Sequence, residues 1–172
     1  MLQLVQTARR RRSCPVEKPQ LKRGLLVMKS AFGGLGCVAT VHFPKDSPIA
    51  EYAGERITHA EAMWRMRGAG GKRISQLDTG HYIDGSIGGN ETQYINHSCE
   101  PNADVLIMER IMILFALREI LPGEEVTVDY LNSFDHDQTL CQCRTASCRK
   151  NQRTAGHDLL STAQPGRPKY PL

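Results

Sequence analysis

The chain has 172 residues, 40% hydrophobic and only 6% aromatic, a length that fits one domain with a short appendage at either end. No run approaches the about 18 consecutive apolar residues of a transmembrane helix. The opening MLQLVQTARRRRSC sets its basic cluster after the apolar patch, the reverse of a secretory signal, so an intracellular protein, cytoplasmic or nuclear and without a membrane partner, is expected. The formal charge of +4 conceals a segregation. Residues 1–29 hold eight Lys/Arg and one acid, residues 141–172 hold six and one, and residues 30–140 are left with 8 basic and 16 acidic groups, a net of −8. An acidic body between basic ends attracts cationic partners, and the ends can meet phosphates, nucleic acid included, or acidic surfaces.

In chain order, residues 1–23 are basic and aperiodic and read as a mobile arm. Order is expected to begin at Leu25-Leu26-Val27-Met28, followed by a turn at Gly33-Gly34-Leu35-Gly36, a strand from Cys37 to Phe43, a turn at Phe43-Pro44-Lys45-Asp46 and a strand from Ile49 to Tyr52. Thr58-His59-Ala60-Glu61 has the form of a capping box and predicts a helix to about Arg67, stopped by Gly68-Ala69-Gly70-Gly71. A short strand follows at 81–84. Alternation in Ala103 to Met108 and the apolar run Ile111 to Leu117 predict a hairpin turning at Glu109-Arg110. After a turn at Leu121-Pro122-Gly123 comes a brief strand, Val126-Thr127-Val128, and from Asn151 a polar tail. Fifteen Gly and nine Pro agree with many short strands and turns. The fold class expected is β-rich, mainly β with short helices, without the βαβ alternation of a dinucleotide-binding fold.

Six cysteines occur, three of them in Cys141-Gln142-Cys143-Arg144-Thr145-Ala146-Ser147-Cys148. Without a secretory signal, clustered thiols read as metal ligands rather than disulfides. Three thiolates fall one short of a closed tetrahedral zinc site; by spacing alone, Cys99, His136, His157 or His97 can supply the fourth ligand. A second signal is Asn96-His97-Ser98-Cys99-Glu100-Pro101-Asn102, a polar cluster that can bind a ligand through amide and backbone groups or can simply form an Asx-type turn. Gly123-Glu124-Glu125-Val126-Thr127-Val128-Asp129-Tyr130 is by itself a turn leading into a strand. Gly34-Leu35-Gly36 lacks the third glycine of a dinucleotide fingerprint.

Taken together and in this order, Gly34-Leu35-Gly36, Tyr52-Ala53-Gly54-Glu55, Asp84 through Gly89-Asn90, the Asn96–Asn102 block, Glu125 to Tyr130 and the late cysteines resemble the SET domain of protein lysine methyltransferases with a post-SET zinc segment. The resemblance implies a β-clip-like fold with a C-terminal pseudoknot, laid out as a SET domain over 24–132, a post-SET zinc segment over 133–150 and a tail over 151–172. It implies a protein-lysine N-methyltransferase that moves methyl groups from S-adenosylmethionine to lysine in a basic, histone-like tail. The alternative is a catalytically weak SET module that binds basic peptides. The cofactor would lie against Gly34, Leu35, Gly36, Asn96 and His97, with Gln142 closing over it and Gln93-Tyr94 at positions where the family commonly has Arg-Phe. Cys99, Cys141, Cys143 and Cys148 would bind one structural zinc, and Tyr130 would place a hydroxyl at the transfer point.

The chemistry suits these residue types. In-line displacement from a sulfonium requires alignment above all. A lysine of reference pKa near about 10.4 must lose its proton, which a neighbouring cation and desolvation both promote, so a dedicated base is not required. The chain departs from the family at two points: Arg73 stands where many members have another active-site tyrosine, with Tyr82 reachable only through a gap, and Val128 stands at the aromatic position two before Tyr130.

Overall fold

The computed structural model describes residues 24–67, 73–130 and 141–149. The basic arm, the glycine stop at 68–71, His136, His157 and the polar tail lie outside the described residues, as does the 131–140 connection on which the expected pseudoknot depends.

Ten short strands and one helix follow in order: β1 Leu25–Lys29, β2 Leu35–Ala39, β3 Pro48–Glu51, β4 Glu55–Thr58, α1 His59–Met66, β5 Ile74–Gln76, β6 His81–Asp84, a 3-10 turn Glu91–Tyr94, β7 Asn96–His97, β8 Ala103–Met108, β9 Ile111–Ala116 and β10 Glu125–Val128. They form three small sheets, ordered β1-β2-β10-β7, β3-β9-β8 and β4-β6-β5. Among the described residues, the predominance of strands over a single helix agrees with the fold class expected.

In the first sheet, β10 runs antiparallel to β2, with Val126 opposite Cys37, and parallel to β7, with Thr127 opposite Asn96 and Val128 opposite His97. This order brings the glycine turn before β2, the Asn96-His97 pair and the strand leading to Tyr130 side by side, although they are far apart in sequence. Asn102 extends the ladder from the side: its Nδ2 donates to the Glu125 carbonyl over 2.8 Å and its Oδ1 accepts from Thr127 N–H over 2.8 Å. The last residue of the Asn96–Asn102 block is therefore structural, an amide that stands in for a missing strand.

Buried residues of the first two sheets meet in the main core: Cys37, Ala39, Phe43, Ile49, Ile95, Ala103, Leu114, Ala116, Ile120, Val126 and Val128. Burying a side chain as large as Phe43, which is 1% exposed, contributes about 1.5–3 kcal/mol. Tyr52, Tyr94, Val105 and Tyr130 pack against this core while keeping part of their surface open. The third sheet and α1 close over Ile57, Ala62, Ile74 and Tyr82.

The local expectations are met at several elements. Thr58 caps α1 by accepting from Glu61 N–H, and Arg67 forms its C-cap. The β8–β9 hairpin turns at Glu109 and Arg110, both at positive φ. The second strand differs from expectation: it spans Leu35–Ala39, and Phe43 instead makes an isolated bridge with Ile120, because Gly123 N–H donates to the Ala39 carbonyl where the ladder stops. β4 and β5 were not expected at all.

Candidate functional site

The site is assembled where β7 and β10 run side by side. Asn96 Nδ2 donates to the Leu35 carbonyl over 3.0 Å and to Glu125 Oε1 over 2.7 Å, which seats its side chain against the glycine turn. That turn depends on Gly34 at φ 67°, left-handed backbone that costs an ordinary residue about 1–2 kcal/mol. Gly36 is required for a different reason: a Cβ there would lie 2.1 Å from Glu125 Oε1 and 2.9 Å from Asn96 Nδ2. Gln142 approaches the same turn, its Oε1 lying 3.6 Å from where a Cβ on Gly33 would sit. Gly34, Leu35, Gly36, Asn96 and Gln142, predicted from distant parts of the sequence, thus come together.

Gln93 and Tyr94 make contacts of their own beside that group. Gln93 Nε2 donates back to the Asn90 carbonyl over 3.1 Å, and the Tyr94 ring lies under Arg73, whose guanidinium carbon is 4.7 Å from the ring centroid. Tyr52 donates its hydroxyl to the Arg73 carbonyl over 2.7 Å, so the backbone of this unusual residue is fixed beside the aromatic group. Tyr82 is 1% exposed in the cluster under α1, with its hydroxyl 3.1 Å from His59 Nδ1, and does not substitute for the aromatic residue absent at Arg73.

Tyr130 donates its hydroxyl to the carbonyl of Ile95, the residue preceding Asn96. Burial, with smaller contributions from Tyr52 and Cys37, pushes the phenol above its ordinary range, so it stays neutral. His97 is buried beside it. Tyr130 N–H donates to His97 Nδ1 over 3.1 Å, and His97 Nε2 lies 3.3 Å from Cys99 Sγ.

The ligand atoms of His97, Cys99, Cys141 and Cys143 all lie within 4.8 Å of one another. Cys148, 2% exposed, packs into the same group as Cys141, Cys143 and Cys99. Burial pushes the Cys141 thiol up to about 12. Cys143 is held down to about 6, where hydrogen bonds involving Thr145 and the backbone at Cys99 outweigh the upward push of burial. A cluster of buried thiols with one already favouring thiolate is suited to a soft divalent cation such as zinc. Two clamps hold the segment on the domain. Glu100 Oε1 accepts from Ser147 N–H at 3.1 Å and from Ser147 Oγ at 2.5 Å, and Arg149 Nη2 donates to Asp129 Oδ1 at 2.6 Å. Glu125, Arg149 and the Tyr52 hydroxyl were missed as site residues. Glu125 and Tyr52 lie inside quoted motifs and Arg149 next to one, but a charged or aromatic side chain there is too common for its particular contact to stand out in sequence.

Among the described residues no helix is long and apolar enough to cross a membrane. The SET domain family matches residues 34–131. The chain is 36% identical over 134 residues to histone-lysine N-methyltransferase trithorax of Drosophila virilis, covering 72% of this chain and 3% of that protein. It is 32% identical over 137 residues to histone-lysine N-methyltransferase set-2 of Caenorhabditis elegans, covering 74% and 9%. It is 31% identical over 142 residues to the Neurospora crassa histone-lysine N-methyltransferase named as H3 lysine-4 specific, covering 74% and 11%. The chain therefore spans a small part of these relatives' lengths. The glycine turn, the Asn96-His97 pair and the Tyr130 strand lie within the matched segment, and this chain belongs to the SET domain family.

Proposed function

We propose that this chain is a protein-lysine N-methyltransferase that uses S-adenosylmethionine and acts on a basic, histone-like tail, with one structural zinc held by Cys99, Cys141, Cys143 and Cys148. The observation that carries the reading is the anchoring of the Tyr130 hydroxyl on the carbonyl of Ile95, next in sequence to Asn96. The residue placed for transfer and the residue placed for the cofactor are fixed to one short stretch of backbone, so their separation does not depend on a mobile loop. For an in-line displacement, fixed geometry of this kind is the main contribution a protein can make.

The cofactor supplies an electrophilic methyl group on a sulfonium. Asn96, on the glycine turn, offers its amide to it, Gln142 closes from the zinc segment, and any contact from His97 falls to its backbone because both ring nitrogens are engaged elsewhere. The Tyr130 hydroxyl proton is committed to the hydrogen bond with the Ile95 carbonyl, so its oxygen faces a substrate amine only as an acceptor. It orients the amine lone pair without removing the proton. Tyr52 and Tyr94 supply apolar walls along a lysine stem, and desolvation there favours the neutral amine that attacks. The histone-like substrate rests on the names of the relatives and on the net −8 of residues 30–140.

A second reading, a SET module that binds basic peptides with little turnover, draws on Arg73 over Tyr94, which places a fixed cation beside the aromatic group. Incubation with labelled S-adenosylmethionine and core histones separates the two. Transfer of label that is lost in Asn96→Ala supports the enzyme; peptide binding without transfer supports the module.

A further inference from the structure

Asn96 is an amide with two donors and one acceptor oxygen, and its usefulness to a ligand depends on which end it presents. In this structure its orientation is forced. The Leu35 carbonyl can only accept, and so can an ionised Glu125; both lie on the nitrogen side, at 3.0 and 2.7 Å. Both amide protons are thereby taken, and Oδ1 has no partner among the described residues. Rotating the amide by half a turn would set oxygen against two acceptors.

Glu125 is itself held. Ser30 Oγ lies 2.8 Å from Oε1 and 2.9 Å from Oε2, and the same hydroxyl accepts from Phe32 N–H at 2.9 Å, so its proton is directed to the carboxylate. Ser30 is 8% exposed. No Lys or Arg among the described residues forms an ion pair with Glu125. Gly36 supplies an independent sign that the arrangement is built, since any side chain there would occupy the path of the carboxylate to the amide.

We propose that Glu125, braced by Ser30, is a positioning residue that locks Asn96 with its oxygen outward and so makes the site select the ammonium of an amino-acid-bearing cofactor. The inference deepens the methyltransferase reading and rests on it. An unlocked amide can turn its nitrogen outward and bind a carboxylate instead; the locked one accepts only from a donor.

Two nucleosides test this. S-adenosylhomocysteine carries the amino-acid portion, whereas 5′-methylthioadenosine keeps the nucleoside and thioether without it. Calorimetry on Glu125→Leu is expected to show about a tenfold or greater loss of affinity for the first and little change for the second. Glu125→Gln retains an acceptor oxygen and should restore most of the affinity. Ser30→Ala, which leaves the carboxylate in place, should give a smaller loss in the same direction. In an Asn96→Ala background, Glu125→Leu should add nothing, because it acts through that amide. In the free wild-type protein, both Asn96 side-chain amide protons should exchange slowly with solvent, a property lost in Glu125→Leu. Unchanged affinity in Glu125→Leu, an equal loss for both nucleosides, or a full additional loss in the Asn96→Ala background would overturn the proposal while leaving the methyltransferase reading intact. A wild-type protein that binds neither nucleoside would overturn both.

Discussion

The backbone N–H of Tyr130 donates to Nδ1 of His97 over 3.1 Å, and this hydrogen bond decides what His97 can do at the cysteine cluster. With Nδ1 acting as acceptor, the neutral ring carries its proton on Nε2, which lies 3.3 Å from Cys99 Sγ. Ligation of zinc through Nε2 would require either an imidazolate or loss of the Tyr130 contact. His97 is therefore suited to donate a hydrogen bond to a zinc-bound thiolate, the outer-shell role that commonly orients a ligand. On this proposal Cys148 would serve as the fourth ligand, and one imidazole would connect a bound zinc to the backbone of Tyr130.

Zinc content separates the two ligand sets. Cys148→Ser and Cys143→Ser should each lower the zinc-to-protein ratio and weaken methylation, whereas His97→Gln should retain the metal and lose turnover through a displaced Tyr130. Metal analysis of the purified variants checks this. Zinc lost from His97→Gln and kept by Cys148→Ser would reverse the assignment.

The Tyr130 hydroxyl is expected to affect turnover without affecting cofactor affinity. Tyr130→Phe leaves the Ile95 carbonyl without its partner, a cost of about 1–3 kcal/mol in stability if water does not replace it. Turnover should fall about tenfold or more while S-adenosylhomocysteine affinity stays within about twofold. The wild-type pH profile follows from the same residue. Burial raises the Tyr130 pKa, so its neutral form is fully present below the ordinary tyrosine value of about 10 and is lost only as pH rises through the folded value. Activity should therefore climb with pH from about 7 to 9 as the substrate lysine deprotonates, with no falling limb from Tyr130 in that window. A descending limb below about pH 9 in wild type that disappears in Tyr130→Phe would contradict this.

What the sequence made legible follows from how each element is stabilised. The β8–β9 hairpin could be read to within one residue, its second strand ending at Ala116 rather than Leu117, because twelve alternating or apolar positions fill it and its turn is two residues long. β4 and β5 could not, since each buries a single side chain, Ile57 and Ile74, and depends on pairing with β6. The cysteines and the Asn96–Asn102 block stood out because their chemistry is carried by rare residue types at fixed spacing. Glu125 did not, because its partners Ser30 and Asn96 are 95 and 29 positions away and meet it only through the β2-β10-β7 order. Arg73 was visible as a departure, but its place over the Tyr94 ring required the fold.

The hairpin turn offers a test of stability apart from the site. Glu109 and Arg110 have φ of 46° and 66°, which match the twist of a two-residue hairpin turn but suit Asn or Gly better than Glu or Arg. Glu109→Asn relieves part of that cost without touching a buried group, and should raise stability by about 0.5–1 kcal/mol in denaturant unfolding. A decrease would mean that the Glu109 side chain contributes more than its backbone costs.

The number of methyl groups added depends on the space around Tyr130. In this family, as the resemblance implies, a tyrosine hydroxyl near the lysine nitrogen can hold a water and leave little room for an already methylated amine. Here Val128 occupies the position two before Tyr130, and Val105 packs against the same core; neither side chain can hold a water, and both are smaller than Tyr or Phe. The Arg73 guanidinium rests over the Tyr94 ring, its carbon 4.7 Å from the centroid, where stacking on the aromatic face holds it. A valine in place of an aromatic residue should let a mono- or dimethylated amine rotate into line for a further transfer, so di- or trimethylated product is expected. Mass spectrometry of a lysine peptide under excess cofactor reads the result directly. Val128→Tyr should shift the product toward one methyl group by restoring both bulk and a hydroxyl. If wild type stops at one methyl and Val128→Tyr makes no difference, the limit is set elsewhere; Arg73→Ala then shows whether the guanidinium leaves the Tyr94 ring to set it.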